Sequence, residues 1–109
     1  VALIVLDTNG CVERWNMTAE RVFGWTEQEV VGRPIPMLSQ GLIDSEKEQS
    51  LQAAFRGEQS LSNFELAVLC KDRNQRDVAV WTENLKGSGE ATRGVLVAII
   101  DNTEHKQLE

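Results

Sequence analysis

Few residues in this chain of 109 have side chains suited to covalent or acid–base chemistry: one histidine, two cysteines and a serine set between glycines. Acid–base and nucleophilic catalysis need a polarised cluster of such groups. His105 follows the last apolar run in the charged stretch Glu104 to Lys106 and reads as a solvated helix residue. Ser88, in Gly87-Ser88-Gly89, lacks the strand-to-helix context of a nucleophile elbow, and a hairpin turn explains both glycines. Cys11 and Cys70 show neither Cys-x-x-Cys spacing nor a companion histidine cluster, so they support neither a metal site nor a redox motif. They read as core thiols; a bridge between them stays open, although two cysteines in an otherwise ordinary core fit a reducing cytosol better. Gly24 and Gly32 do not recur at the spacing of a phosphate loop or dinucleotide fingerprint. The sequence therefore argues against an enzyme.

The elements around these residues are more explicit. Asn9-Gly10 separates the apolar runs Leu3 to Leu6 and Cys11 to Trp15, and this pair tolerates positive φ in a tight hairpin. Asn16 can cap a short helix over Met17 to Phe23, with Gly24 at its left-handed end. Thr26 to Glu29 is a capping box flanked by Trp25 and Val30 as a hydrophobic staple; Gly32 stops that helix and Pro34 prevents its continuation. A second box at Ser45 to Glu48 opens an amphipathic helix with Leu51, Ala54 and Phe55 on one side and Gly57 as its stop. Three strands follow, Leu61 to Cys70, Val78 to Leu85 and Gly94 to Ile100, joined by the polar turns Lys71 to Arg76 and Lys86 to Arg93. The expectation is an α+β fold: a five-stranded antiparallel sheet with several short helices on one face.

Composition sets limits on function. The length allows a single domain. An apolar content of 41% and a charged content of 26% are ordinary for a globular protein, and the run Val95 to Ile100 is far too short for a membrane span. Seventeen acidic against eleven basic residues give a net charge of −6, which repels phosphate backbones, so direct nucleic-acid binding is not expected; nor, with apolar runs this short, is membrane contact from this fragment. The chain opens at Val1 inside an apparent strand and closes at Glu109 as a helix begins. We therefore expect residues 1–102 to form the domain and 103–109 to start a C-terminal linker helix of a longer protein.

Strand alternation places Phe64, Leu66, Val68, Cys70, Val78, Val80, Val95, Val97 and Ile99 on the face toward the helices. The opposite positions, among them Ala67, Leu69, Ala79, Trp81, Leu85, Leu96, Ala98 and Ile100, are apolar as well, where a water-facing side should be polar. Large apolar faces mark interfaces. The expectation is a homodimer contact through Trp81, Leu96, Ala98 and Ile100, or a flanking helix on the same face.

The order Asp7, glycine turn, strand, Asn16, short helix, Gly24-Trp25, Thr26-x-x-Glu29, Gly32-Arg33-Pro34 resembles the opening of a PAS domain. The far end agrees: Gly94-Val-Leu-Val-Ala-Ile-Ile-Asp101-Asn-Thr103 is similar to the last PAS strand with its Asp-x-Thr signature. The resemblance covers nearly the whole chain and implies a cytoplasmic sensory module that binds a small ligand or cofactor and regulates a C-terminal effector. That effector would be a histidine kinase of a two-component system, a cyclic-di-nucleotide enzyme such as a diguanylate cyclase, or a transcription regulator. A ligand-free module that dimerises and relays conformation is the alternative. The implied pocket lies between helices and sheet, lined by Ile4, Val12, Phe23, Met37, Leu38, Phe55, Phe64, Leu66, Val80, Val97 and Ile99. These are almost wholly apolar and offer few groups to orient a ligand. Asp101 and Thr103 match the junction to the output helix, and both side chains can cap it.

The resemblance also separates cofactor classes. The flavin-binding LOV type carries its reactive cysteine two residues after Gly-Arg, where this chain has Ile35, so a light-driven thiol adduct is ruled out. Haem sensors use a histidine from the helix before the third strand, and Asp44 to Gly57 has none. The yellow-chromophore type needs a tyrosine, and the chain has no tyrosine. Non-covalent FAD stays open because tryptophans are frequent near such flavins, although Trp15, Trp25 and Trp81 each have a structural place.

Overall fold

The computed structural model describes residues 1–36, 44–86 and 92–102. Its elements run β1 (Ala2–Leu6), β2 (Val12–Trp15), α1 (Met17–Phe23), α2 (Glu27–Val30), α3 (Ser45–Phe55), β3 (Phe64–Leu69), β4 (Gln75–Lys86) and β5 (Thr92–Asp101). The strands form one antiparallel sheet in the order β2-β1-β5-β4-β3, so the last strand lies in its centre.

The β1–β2 turn is wider than the sequence suggests. Of Asn9 and Gly10 only Gly10 takes a positive φ, +82°. The Asp7 carboxylate accepts the backbone N–H groups of Asn9 and Cys11 at 2.8 and 3.1 Å, and Asp7 N donates to Cys11 O. An aspartate that closes its own turn in this way replaces the two-residue hairpin that needs two positive φ values.

The first helix is capped as expected, since Asn16 Oδ1 accepts the Ala19 N–H at 2.9 Å. The same oxygen also accepts from Leu3 N, which ties the helix entry to β1. The Thr26–Glu29 box is reciprocal, with Glu29 Oε1 accepting the Thr26 N–H at 2.9 Å. The cap of α3 differs from expectation. Asp44, not Ser45, precedes the helix, and its carboxylate accepts the Lys47 N–H at 2.8 Å. A carboxylate one residue earlier outcompetes the serine hydroxyl and adds charge at the positive helix end.

Leucine, isoleucine, valine and phenylalanine from every sheet strand and helix meet in one core, where Ile4, Leu6, Phe23 and Val97 are fully buried. Burial follows the alternation read from the sequence: Leu66, Val68, Val78, Val80, Val95, Val97 and Ile99 are inside, and Ala67, Leu69, Trp81, Leu96 and Ala98 are half-buried on the other side. Ala79 departs from the outer set, being closed off at 1% exposure. Gly94 is needed for a close approach: a Cβ there would lie 2.3 Å from Leu6 O, inside the contact distance of the paired strand. Beyond α2, the chain is pinned to β2 by Val12 N to Arg33 O and Gly32 N to Val12 O, both 2.8 Å.

Candidate functional site

On β4 the inward positions are Val78, Val80, Thr82 and Asn84, because side chains alternate along a strand. The last two are polar and were missed by a reading that stopped at Val80; extending the same parity two and four residues further finds them. Thr82 is the one buried polar residue among the described core, at 6% exposure. Its Oγ1 accepts the Leu61 N–H at 2.8 Å while its own N–H donates to Leu61 O at 3.0 Å. Asn84 Nδ2 donates to Gly57 O at 3.0 Å, reaching the stop of α3. Asn84 Oδ1 is buried and has no hydrogen-bond partner among the described residues. An acceptor left so costs about 1–3 kcal/mol, and native structures keep few of them.

The residues expected to line a pocket do converge. Ile4, Val12, Phe23, Leu66, Val80, Val97 and Ile99 are buried in the one core cluster, and Phe55 and Phe64 pack partly buried against it. They touch as core residues touch. Met37 and Leu38 lie outside the described residues. The cavities described open on the surface instead, one of them over the outer sheet face beside Trp81, Glu83, Leu96 and Ala98. Ile35 is in the core at 3% exposure, so an aliphatic side chain fills the position two residues after Gly32-Arg33.

At the end of β5 the Asp101 carboxylate accepts from Arg76 Nη1 at 2.5 Å, which joins the start of β4 to the sheet's exit. Arg76 also lies against Cys70, whose thiol is pushed up by burial despite the pull of that guanidinium. Cys70 Sγ donates to Val22 O at 3.4 Å, and both Cys70 and Cys11 are free thiols, which settles the bridge left open by the sequence. Thr103 and His105 lie outside the described residues. On the outer face Trp81, Leu96 and Ala98 are half-buried and Ile100 is 42% exposed. A second ion pair, Lys71 Nζ to Glu29 at 2.5 Å, joins the β3–β4 turn to α2. Together with the Thr26 backbone N–H, that lysine lowers the Glu29 carboxyl to about 2.

Trp15 ties β2 to the chain after α1. It is buried, its Nε1 donates to Trp25 O at 2.9 Å, and its ring meets Phe23 at 5.9 Å and 54°. Among the described residues no group of three His, Cys, Asp or Glu side chains is placed to hold a metal ion. No described helix is long and apolar enough to cross a membrane.

A central antiparallel sheet with short helices over one face, a polar pair at one end of an apolar interior and an ion pair on its last strand make up this small α+β domain. The model of the PAS fold family matches residues 1–101, and the chain belongs to that family. Solved structures agree on the fold. An RNA-binding light-oxygen-voltage receptor superposes with TM-score 0.86 at 17% identity over 98% of this chain and 31% of its own, so this chain spans about a third of it. The PAS domain of a Colwellia psychrerythraea protein gives 0.74 at 19% identity, covering 94% of this chain and 86% of that one. The LOV domain of a blue-light activated histidine kinase from Erythrobacter litoralis gives 0.80 at 18% identity, covering 92% and 94%.

Proposed function

We propose that this chain is a sensory input domain that takes a small molecule against the inner sheet face and passes the change to an effector in the same protein. The observation that carries the ligand reading is Asn84 Oδ1, a buried acceptor with no partner among the described residues, two positions from the buried Thr82 at the end of a largely apolar core. A ligand N–H or O–H there would offset a standing desolvation cost. It would give the apolar inner face the orienting group that its hydrophobic residues lack. The route outward is β5, whose inner residues Val95, Val97 and Ile99 face the core and whose last residue, Asp101, is held by Arg76. A shift of that strand changes the exit angle at the Asp101–Thr103 junction. An effector of the histidine-kinase, cyclic-di-nucleotide or transcription-regulator type follows on this reading. The outer face forms a homodimer through Trp81, Leu96, Ala98 and Ile100.

A relay domain that binds no ligand is the second reading, and the close packing of Ile4, Phe23 and Val97 favours it. Purified protein, denatured and analysed by mass spectrometry with an absorbance spectrum for flavin, separates the two. A stoichiometric small molecule supports the sensory reading; clean protein from several expression conditions removes it in favour of the relay.

A further inference from the structure

A sheet in the order β2-β1-β5-β4-β3 has two edges, and here they differ. The β2 edge is closed: Val12 N donates to Arg33 O and Gly32 N to Val12 O, and the Glu27 carboxylate accepts the Trp15 N–H at 3.1 Å. On β3, Cys70 N donates to Asn74 O at the turn, and ladder bonds fall on every second residue of an antiparallel pair. Val68, Leu66 and Phe64 therefore bond to β4, while Glu65, Ala67 and Leu69 turn their N–H and C=O groups outward. Lys47 Nζ, reaching Glu65 O from α3 at 3.3 Å, agrees with that direction. Among the described residues nothing else bonds to the outward groups of these three. Past Leu69 the open edge ends, because Lys71 N donates to Phe23 O at 2.9 Å.

An open row of this kind is a template for one more strand. An antiparallel segment laid along it exchanges two backbone bonds with Ala67 and two with Leu69, and a further pair at Glu65 requires only that Lys47 swing aside. The surroundings set the charge of that segment. Glu65 is exposed and makes no ion pair among the described residues. The start of α3 beside it carries Asp44, Glu46 and Glu48, all exposed, against the one Lys47. Those carboxylates favour a basic partner, as does the net charge of −6. A second copy is a poor match, because β3, Phe-Glu-Leu-Ala-Val-Leu, has no basic residue of its own to set against Glu65.

We propose that the β3 edge binds an extended basic segment of a partner polypeptide as an added antiparallel strand, with an aliphatic side chain level with Leu69 and a lysine or arginine level with Glu65. Backbone bonds to Ala67 and Leu69 supply the affinity, and the cross-strand neighbours Leu69 and Glu65 select the sequence. The site is separate from the inner sheet face and from the Asp101 junction, so it stands whether or not the domain holds a ligand.

The probe is the peptide acetyl-Thr-Val-Thr-Ala-Thr-Lys-Thr-amide, whose valine, alanine and lysine fall opposite Leu69, Ala67 and Glu65 when it runs antiparallel. Amide hydrogen exchange followed by NMR reads the edge directly, since the N–H groups of Ala67 and Leu69 face water in the free protein. Peptide at about 1 mM should slow exchange at both positions about tenfold. N-methylation of its valine and alanine, whose N–H groups point at β3, should abolish the effect, and glutamate in place of its lysine should weaken binding about tenfold. Glu65→Lys, a change at an exposed residue, should invert that charge preference. Unchanged exchange at Ala67 and Leu69 overturns the site, and undiminished binding of the N-methylated peptide overturns strand addition. Equal binding of the lysine and glutamate peptides overturns the basic partner. Slowing that grows with protein concentration in the absence of peptide makes a second copy the occupant and overturns the proposal as well.

Discussion

Replacing Asn84 by leucine should leave the ligand-free domain as stable as before, or more so, while abolishing retention of a ligand. Leucine keeps the branching at Cγ and removes both polar atoms. Among the described residues the amide makes one hydrogen bond, Nδ2 to Gly57 O at 3.0 Å, worth about 0.5–1.5 kcal/mol net. Against this stands the partnerless Oδ1, whose burial costs about 1–3 kcal/mol. Gly57 is only half-buried, so water can take over its carbonyl. The balance runs from about no change to a gain of about 2 kcal/mol, within the spread of these terms.

In the loaded protein the sign reverses, since a ligand hydrogen bond to a buried amide is lost. A loss of about 1–3 kcal/mol weakens binding roughly 5- to 150-fold. Urea unfolding of stripped protein, followed by the fluorescence of the buried Trp15, measures the first arm. Native mass spectrometry of protein as purified measures the second. A stripped variant destabilised by more than about 2 kcal/mol would refute the argument, because the oxygen would then have been satisfied in the empty state. Wild-type ligand retention by Asn84→Leu would equally remove Asn84 from the site.

Three further outcomes follow from the same geometry. Gly94→Ala should destabilise the domain by about 1–3 kcal/mol, since a Cβ 2.3 Å from Leu6 O must push β1 from β5; an unchanged melting temperature would contradict that close approach. Glu29 should titrate at about 2 in the folded protein and return toward its ordinary value in Lys71→Met, as read by NMR; because the folded value is the lower one, its stabilising contribution is complete above the unfolded value near 4.5 and disappears as pH falls toward 2. Arg76→Gln in the full-length protein should alter effector regulation while the circular dichroism of the sheet is kept, because the pair with Asp101 is part-exposed and worth little to stability; regulation identical to wild type would remove the junction role.

Local chemistry made most of the fold legible. The caps at Asn16 and Thr26, the left-handed Gly24 and the two-residue alternation of β3, β4 and β5 each depend on neighbours within four residues. What stayed hidden depends on distance. β4 begins at Gln75 rather than Val78, because Arg76 is held in the strand by a pair with Asp101, twenty-five residues away. β3 begins at Phe64 rather than Leu61, because Asn63 takes a positive φ and Leu61 bonds to Thr82 across the gap. The central place of β5 comes from pairing with β1 across almost the whole chain, which no local pattern encodes. The partnerless oxygen of Asn84 was equally invisible, although the parity that turns Asn84 inward was written in the sequence.

β5 carries both halves of the functional argument. Its residues Val95, Val97 and Ile99 form the inner face where a ligand would act, and Leu96, Ala98 and Ile100, between them, form the outer face where a second copy would pack. A strand cannot shift one set without the other, because successive side chains share one backbone. On the proposed reading, ligand binding and dimerisation would be two loads on one element whose end is clamped by Arg76. Linkage then makes their effects reciprocal: a ligand that tightens the dimer must itself be held more tightly by the dimer, by the same factor. The signal would be this coupling, read at Asp101 as a change in how the strand leaves the sheet.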